Sequence, residues 1–561
     1  MGCLRRQRFL PSEVSQKGLT PQDAPGVFKS WRDFVRKFQK SFGAIGLAAA
    51  LAVSVLAAPT QAATNNSITV AEVTAGGGGV NTISTPWFAS GSISHHAMFR
   101  GLFKADANLV SVKPDLASGY KFSKDGKTLT LTLKSGIKWS DGKDLTVDDV
   151  VWSINSLLRV SKSNAIFVNA FKEIVGSEAI NATNKTTMSG ITTKGNDIII
   201  SLKSPINVMI PVLAQFMIMP KHVLADEDIL KLDTNNFWRN PVVLGPYKVG
   251  TFSQGNFITL VPNDKYEGAK PIIKEINIIV SSNLVADAKS GKLDYFTTND
   301  PDTIRAMSSV STFKSAPLDV LFYRYLVINP TGPFSNVKAR EALKYAIDWN
   351  KLVPAIYGQQ GKVINSGVAS GMPHHLSSVA KYKYDKAKAT ALLKEANFDF
   401  SKTIRLRTYN QSQPAVMILL TAVAQQLTEV GMKVEFLPWT GDATTELWTN
   451  RNYELALKGL SAFNVSEWFG EYSNMATFGK SIGAQPEFAA LSSKLLQATT
   501  LRETGKILTD LQKLEQEKLY KLPMHLLKQV VFISKNISGT PTKWGNPLYV
   551  YQNNIASWSA N

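Results

Sequence analysis

Cysteine is all but absent from this sequence, with Cys3 the single one in 561 residues. One thiol excludes an internal disulfide and removes every Cys-based metal site. So little cysteine suits an oxidising compartment, where a spare thiol is a liability. Histidine is scarce too: there are six, and only His95-His96 and His374-His375 fall together. Neighbours on one helix or strand point in different directions, and neither pair has a carboxylate at ligand spacing, so no metal site is expected. Catalytic signatures are missing as well: there is no GxSxG elbow, no HExxH and no Cys nucleophile after position 3. The chain is therefore expected not to be an enzyme and to use no cofactor; a secreted hydrolase is the alternative from a different class. Asp148-Asp149, the nearest thing to a paired-carboxylate site, falls in the first turn of an expected helix, where the dipole explains it.

A further absence is of charge. No charged residue occurs between Lys40 and Glu72, and within that gap Ala44 to Ala58 is an unbroken apolar run of 15 residues. Such a run is shorter than the ~20 residues needed to cross a bilayer. Basic residues precede it, Pro59 breaks it, and Thr60-Gln61-Ala62 offers small residues where a signal peptidase reads. Residues 1–62 are read as a signal peptide with an extended n-region, cleaved near Ala62 or Ala63. No cysteine follows the run, so a lipid anchor is not expected, and the mature chain is expected free in the periplasm.

What is present describes a large globular protein. Hydrophobic residues make up 44% and charged residues 19%, a balance that excludes disordered and fibrous classes. Length alone implies more than one core. The net charge is +19, of which +6 belongs to residues 1–62 and +13 to the rest. Those lysines are dispersed without a block of like charges, so no nucleic-acid partner is expected.

Local patterns alternate between strand and helix. Ile68-Thr69-Val70-Ala71 reads as a short strand, and Gly76 to Gly79 as a loop, since it lacks the GK[ST] ending of a phosphate cradle. Tyr120 to Phe122 and Leu129 to Leu133 flank an Asp125-Gly126 turn as a hairpin. Thr146 with Asp149 predicts a capping box for a helix whose apolar stripe is Val147, Val150, Val151, Ile154, Leu157 and Leu158. A second hairpin spans Ile191 to Leu202, and further strands cover Phe257 to Val261 and Ile276 to Val280. Helices are expected from Asp385 to Ala396, from Ala415 to Val430 before Gly431, and from Arg502 to Lys518, with a half-buried strand at Met432 to Phe436. The class is α/β or α+β.

Several of these patterns carry a family likeness. Val112-Lys113-Pro114-Asp115-Leu116-Ala117 with Ser123-Lys124-Asp125-Gly126-Lys127-Thr128 resembles solute-binding family 5, the dipeptide/oligopeptide/nickel-binding type of ABC-transporter protein. Gly136-Ile137-Lys138-Trp139-Ser140-Asp141-Gly142 and Leu145-Thr146-Val147-Asp148-Asp149-Val150 complete the most specific motif. Leu244-Gly245-Pro246-Tyr247-Lys248-Val249, Asn263-Asp264-Lys265-Tyr266, Val337-Lys338-Ala339-Arg340-Glu341-Ala342 and Tyr384-Asp385-Lys386-Ala387 follow in the family's order. The resemblance implies an α/β, two-lobed periplasmic-binding-protein-like fold with an extra inserted domain and a hinged cleft. Lobe I would comprise 63–95, 241–315 and 521–561, the inserted domain 96–240 and lobe II 316–520. It implies capture of a peptide-like or other medium-sized organic solute and delivery to an ABC importer permease at the inner membrane, by a monomer. A nickel or metal-chelate binder, or a sugar or opine binder, of the same fold is the alternative within the class.

The resemblance also points to a ligand segment. In peptide-binding members a tryptophan and then an aspartate in lobe II meet the peptide's α-amino group. The matching stretch here is Gly459-Leu460-Ser461-Ala462-Phe463-Asn464-Val465-Ser466-Glu467, with Leu460 and Phe463 at those two places. Free-amine peptides are therefore disfavoured unless Glu467 substitutes. Candidate ligand contacts are Trp87, Phe88, Tyr323, Trp439, Ser461, Phe463, Asn464 and Trp468, the aromatics by stacking. Arg100 and Arg324 are candidate anion partners.

Overall fold

The structure is a computed structural model and describes residues 66–71, 85–87, 93–105, 112–541 and 554–560, except 161–162, 184–185, 319–320, 463, 476 and 499. The chain divides at Ala62, and all that follows concerns 63–561. The expected signal peptide, the glycine run at 76–79, Phe88 and Phe463 lie outside the described residues.

Three sheets organise the molecule. The first has seven strands, in the order Phe313–Leu318, Gln529–Ser534, Tyr295–Thr298, Ser67–Ala71, Glu275–Ile279, Phe257–Pro262 and Tyr247–Ser253. Its centre is Ser67–Ala71, parallel to both neighbours. Ile68 and Val70 alternate inward and are fully buried, while Thr69 N donates to Asp294 Oδ2 at 2.8 Å and fixes the register. Its strands come from remote parts of the sequence.

A four-stranded antiparallel sheet orders Ala117–Phe122, Thr128–Leu133, Asp197–Ser201 and Ile191–Lys194. Both expected hairpins are here. Gly126 takes a φ of 69°, which the turn requires and a glycine supplies at no steric cost, and Asp125 Oδ1 accepts from Ser123 Oγ and Lys127 N. The helix Val147–Leu157 follows. Asp149 Oδ2 accepts from Thr146 N and Thr146 Oγ1, and its Oδ1 accepts from Lys221 N at 2.9 Å. Asp149 is thus a cap and a brace. Val150, Ile154 and Leu157 pack into the core that the four-stranded sheet shares with the seven-stranded one.

The third sheet has six strands: Gly361–Val363, Lys521–Leu527, Leu321–Ile328, Leu455–Ala462, Thr403–Thr408 and Lys433–Pro438. Among the helices of this region are Val337–Ala346, Trp349–Tyr357, Lys386–Glu395, Pro414–Glu429 and Leu501–Lys518. Asp385 caps one through Lys388 N, Gly431 ends another at φ 93°, and Thr500 caps the last with Glu503.

The chain passes between the two large sheets twice, from Leu318 to Leu321 and from Leu527 to Gln529. The passing strands pair with each other on both sides, Phe313–Leu318 with Gln529–Ser534 and Leu321–Ile328 with Lys521–Leu527. One detail differs from the sequence expectation. Lys521–Leu527, grouped there with 521–561, is a strand of the six-stranded sheet, and only Gln529–Ser534 returns to the seven-stranded one. Lys528 N still donates to Gln360 O at 2.9 Å, continuing the pairing with Gly361–Val363, and the chain changes sheets only after it. No described helix is long and apolar enough to cross a membrane.

Candidate functional site

The aromatic candidates are mostly interior. Trp87 is fully buried; its Nε1 donates to Met217 O at 2.9 Å and its ring stacks on Phe216 at 5.6 Å. Tyr323 donates through its hydroxyl to Gly367 O at 2.8 Å. Trp439 meets Tyr453 edge-on at 5.9 Å. Asn464 caps the helix Val465–Gly470, accepting from Ser466 N at 2.8 Å, while Glu467 Oε1 accepts from Asn464 N. Glu467 is therefore engaged in a capping box. Of the six candidates among the described residues, Ser461 alone is exposed, on the strand Leu455–Ala462.

Trp468 belongs to a buried polar network. Its Nε1 donates to Glu515 Oε1 at 2.5 Å, and the same carboxylate accepts from Tyr472 OH, Ser366 Oγ and Gly367 N. Its ring, with Tyr325, Tyr472 and Phe478, surrounds the Lys521 ammonium at 4.2–5.0 Å. These rings cage an internal cation. Lys521 also donates to Glu471 Oε2 at 2.7 Å and to Trp468 O at 2.8 Å, and Lys458 reaches Glu471 Oε1 at 2.5 Å. Burial alone would raise the Glu471 pKa, but the two ammoniums overcome it and bring it down to about 2. Burial pulls Lys521 down to about 8 against the attraction of Glu471.

Of the two anion-partner candidates, Arg100 is already paired. Its Nη2 is 2.5 Å from Asp115 Oδ1, its Nη1 lies 2.8 Å from Glu267, and it also donates to Leu244 O. It ties the Asp115 and Leu244 motifs together. Arg324 is different. It is buried, and its Nη1 and Nη2 donate only to the side-chain oxygens of Asn410 and Gln413 at 3.1 and 2.9 Å. Beside it in the ladder stands His525, buried, with neither ring nitrogen bonded. Burial, reinforced by Arg324, pushes the His525 pKa down to about 3, so it is neutral at physiological pH. No group of three or more His, Cys, Asp or Glu among the described residues is placed to hold a metal.

Near Arg324, which does not itself line it, is a cavity of about 200 Å³ whose walls come from segments beside both large sheets. Asn299, Asp300 and Pro301 follow the strand Tyr295–Thr298 of the first; Leu527 ends a strand of the second, and Tyr357 and Ser412 to Val416 come from the helix Trp349–Tyr357 and the start of the helix Pro414–Glu429 in the same region. The cavity lies beside the passage at Leu527–Gln529. Gln413 both lines it and holds Arg324. None of the six candidates among the described residues lines it. Tyr357 and the Asn299–Pro301 turn were missed because nothing local marks them; Pro301 after Asp300 signals a helix start, and Asp300 does cap it through Thr303 N at 2.7 Å.

Two sheet-centred lobes, two paired strand passages and a cavity between the lobes are the features of a two-lobed solute-binding protein. Residues 111–480 match the family of bacterial extracellular solute-binding proteins, family 5. The chain belongs to that family. A protein of Brucella abortus named as an ABC transporter peptide-binding protein is 28% identical over 422 residues, spanning 73% of this chain and 75% of its own. The glutathione-binding protein GsiB of Salmonella typhimurium is 27% identical over 404 residues, spanning 70% and 72%. Among solved structures, NikZ of Campylobacter jejuni with Ni(L-His) has a TM-score of 0.73 at 20% identity, covering 89% of this chain and all of its own. The oligopeptide-binding protein AppA of Bacillus subtilis, with a nonapeptide, has a TM-score of 0.72 at 20% identity, covering 88% of this chain and 99% of its own. The fold is thus the mixed α/β, two-lobed one expected, and the protein is a solute-binding component of ABC transport.

Proposed function

We propose that this chain is exported, loses residues 1–62, and works as a monomeric, non-enzymatic receptor in the periplasm that closes on a peptide-like solute and presents it to the permease. The observation carrying this reading is the cavity walled by both lobes beside two paired passages. A solute there contacts both lobes only when they are closed, so its binding energy favours closure. Relatives named for peptides and glutathione support a peptide-like solute. Residues 63–95, 241–315 and the last strands are proposed as lobe I, 96–240 as the inserted domain and the contiguous stretch to Leu527 as lobe II. Phe88, Ser461 and Phe463 remain proposed contacts.

One contact across the cleft side is already made. Asn207 Nδ2 donates to Ala498 O at 2.8 Å and Asn207 N to Leu496 O at 3.0 Å, joining the 96–240 region to lobe II away from the passages. Small-angle scattering should show a smaller radius of gyration when a solute that raises the melting temperature is added. An unchanged radius would count against capture by closure. For export, N-terminal sequencing of periplasmic material should begin near Ala63; a chain retaining 1–62 in the membrane fraction would overturn that part.

A further inference from the structure

We propose that Arg324 is the anion-binding residue of the inter-lobe cavity and that the solute offers it a carboxylate; this rests on the solute-binding reading above. Four described arginines are buried, and the other three have their charge or donors answered within the protein. Arg100 faces Asp115 and Glu267, and Arg407 faces Glu435. Arg340 donates to three backbone carbonyls, of Phe334, Ser335 and Lys518, the last at the end of the helix Leu501–Lys518. Arg324 has only two side-chain amides, which can turn away, and its Nε has no partner. A buried charge left without a counter-charge is costly, and guanidinium does not lose its proton at physiological pH.

The surroundings make room for an anion. Gly459 is the ladder partner of Arg324, and a Cβ there would lie 3.0 Å from Nη1, so glycine lets the guanidinium lie flat across the strand. Phe322 lies beneath it at 4.7 Å and packs towards the first lobe's core. His525 stands on the other side with both nitrogens open, able to donate one N–H to the same anion. Tyr357 packs on His525 at 4.7 Å and forms part of the cavity wall. The opposite wall holds Asp300, whose carboxylate is engaged with Thr303 N. A turn of Gln413 would open Arg324 to the cavity. Pockets for whole drug-sized ligands occupy ~300–1,000 Å³, so 200 Å³ suits a carboxylate head group with the carbons next to it.

The experiment uses the full mature protein and matched probes: N-acetyl-dialanine and N-acetyl-trialanine, each as the free acid and as the C-terminal amide, with glutarate and inorganic phosphate beside them. Melting shifts and calorimetry are recorded for wild type and Arg324→Gln. The acids and glutarate should bind and the amides should bind about 100-fold more weakly, with Arg324→Gln erasing the difference. Ligand-free Arg324→Gln should melt at the same temperature as wild type or higher, because an uncompensated charge has gone; a purely structural arginine would give a fall. Acids and amides binding alike, acid binding retained in Arg324→Gln, or phosphate binding without the carboxylates would overturn the proposal while leaving solute binding intact. Indifference to every probe would overturn the peptide-like reading together with it.

Discussion

Glu471→Gln should be among the most damaging single substitutions, destabilising the protein by about 3–5 kcal/mol. Glu471 is the common acceptor of Lys458 at 2.5 Å and Lys521 at 2.7 Å, and Lys521 has no accessible side-chain surface. Glutamine keeps the shape but removes the charge, leaving two ammoniums among aromatic rings whose attraction does not replace a carboxylate. Glu487→Gln is the matched control, since Glu487 is exposed and 3.8 Å from Lys518, and should change stability by less than about 0.5 kcal/mol. Urea denaturation at neutral pH reads both, and equal effects would show that the network carries little. The acid side adds a second reading. The ordinary Glu471 value is 4.5 and the folded one about 2. A carboxyl whose folded pKa is depressed contributes stability that is full above its unfolded value and lost as pH falls through the folded one. Wild type should therefore lose stability between pH 4.5 and 2 through this group, and Glu471→Gln should show a shallower fall there.

That network also marks where sequence reasoning stops. Capped elements were readable because their signals are local. Asp385 before Lys386–Glu395, Gly431 after Pro414–Glu429, Thr146 with Asp149 at the start of Val147–Leu157 and the Asp125-Gly126 turn each act within four residues. Whether a tryptophan stacks on a solute or roofs a lysine is decided at long range: Trp468 and Lys521 are 53 residues apart in the chain. The same holds for arginines. Arg100 and Arg324 look alike as residues, and only the placing of Asp115 and Glu267 beside one, and of two amides beside the other, separates them. The change of sheet around Lys528 was illegible for a related reason. Lys521–Leu527 and Gln529–Ser534 are both apolar strands, and nothing in their composition says that they join different sheets.

Gly245→Ala should cost at least about 3 kcal/mol, although it adds one methyl group. Gly245 belongs to a motif that identifies the family, and its geometry shows why that position tolerates nothing larger. Its N donates to Met98 O at 2.7 Å and its O accepts from Asn263 Nδ2 at 2.9 Å, so the backbone is clamped from both sides. A Cβ would fall 2.3 Å from Ala97 O and 2.6 Å from the Met98 carbonyl carbon. Those are backbone atoms closing the helix Ile93–Met98, and they have no rotamer with which to move aside. Relief requires shifting that helix off the strand Tyr247–Ser253, which also disturbs the bond from Arg100 to Leu244 O. Two other glycines separate crowding from backbone strain. Gly136 has a φ of 77° but open space around it, so Gly136→Ala should cost about 1 kcal/mol. Gly119 has open space and ordinary φ, so Gly119→Ala should fall within about 0.5 kcal/mol of wild type or slightly stabilise by restricting the unfolded chain. Urea midpoints of the three variants should rank in that order. A Gly245→Ala protein as stable as Gly119→Ala would mean that the helix is not seated against this turn, and that the motif is kept for some reason other than the packing of the first lobe.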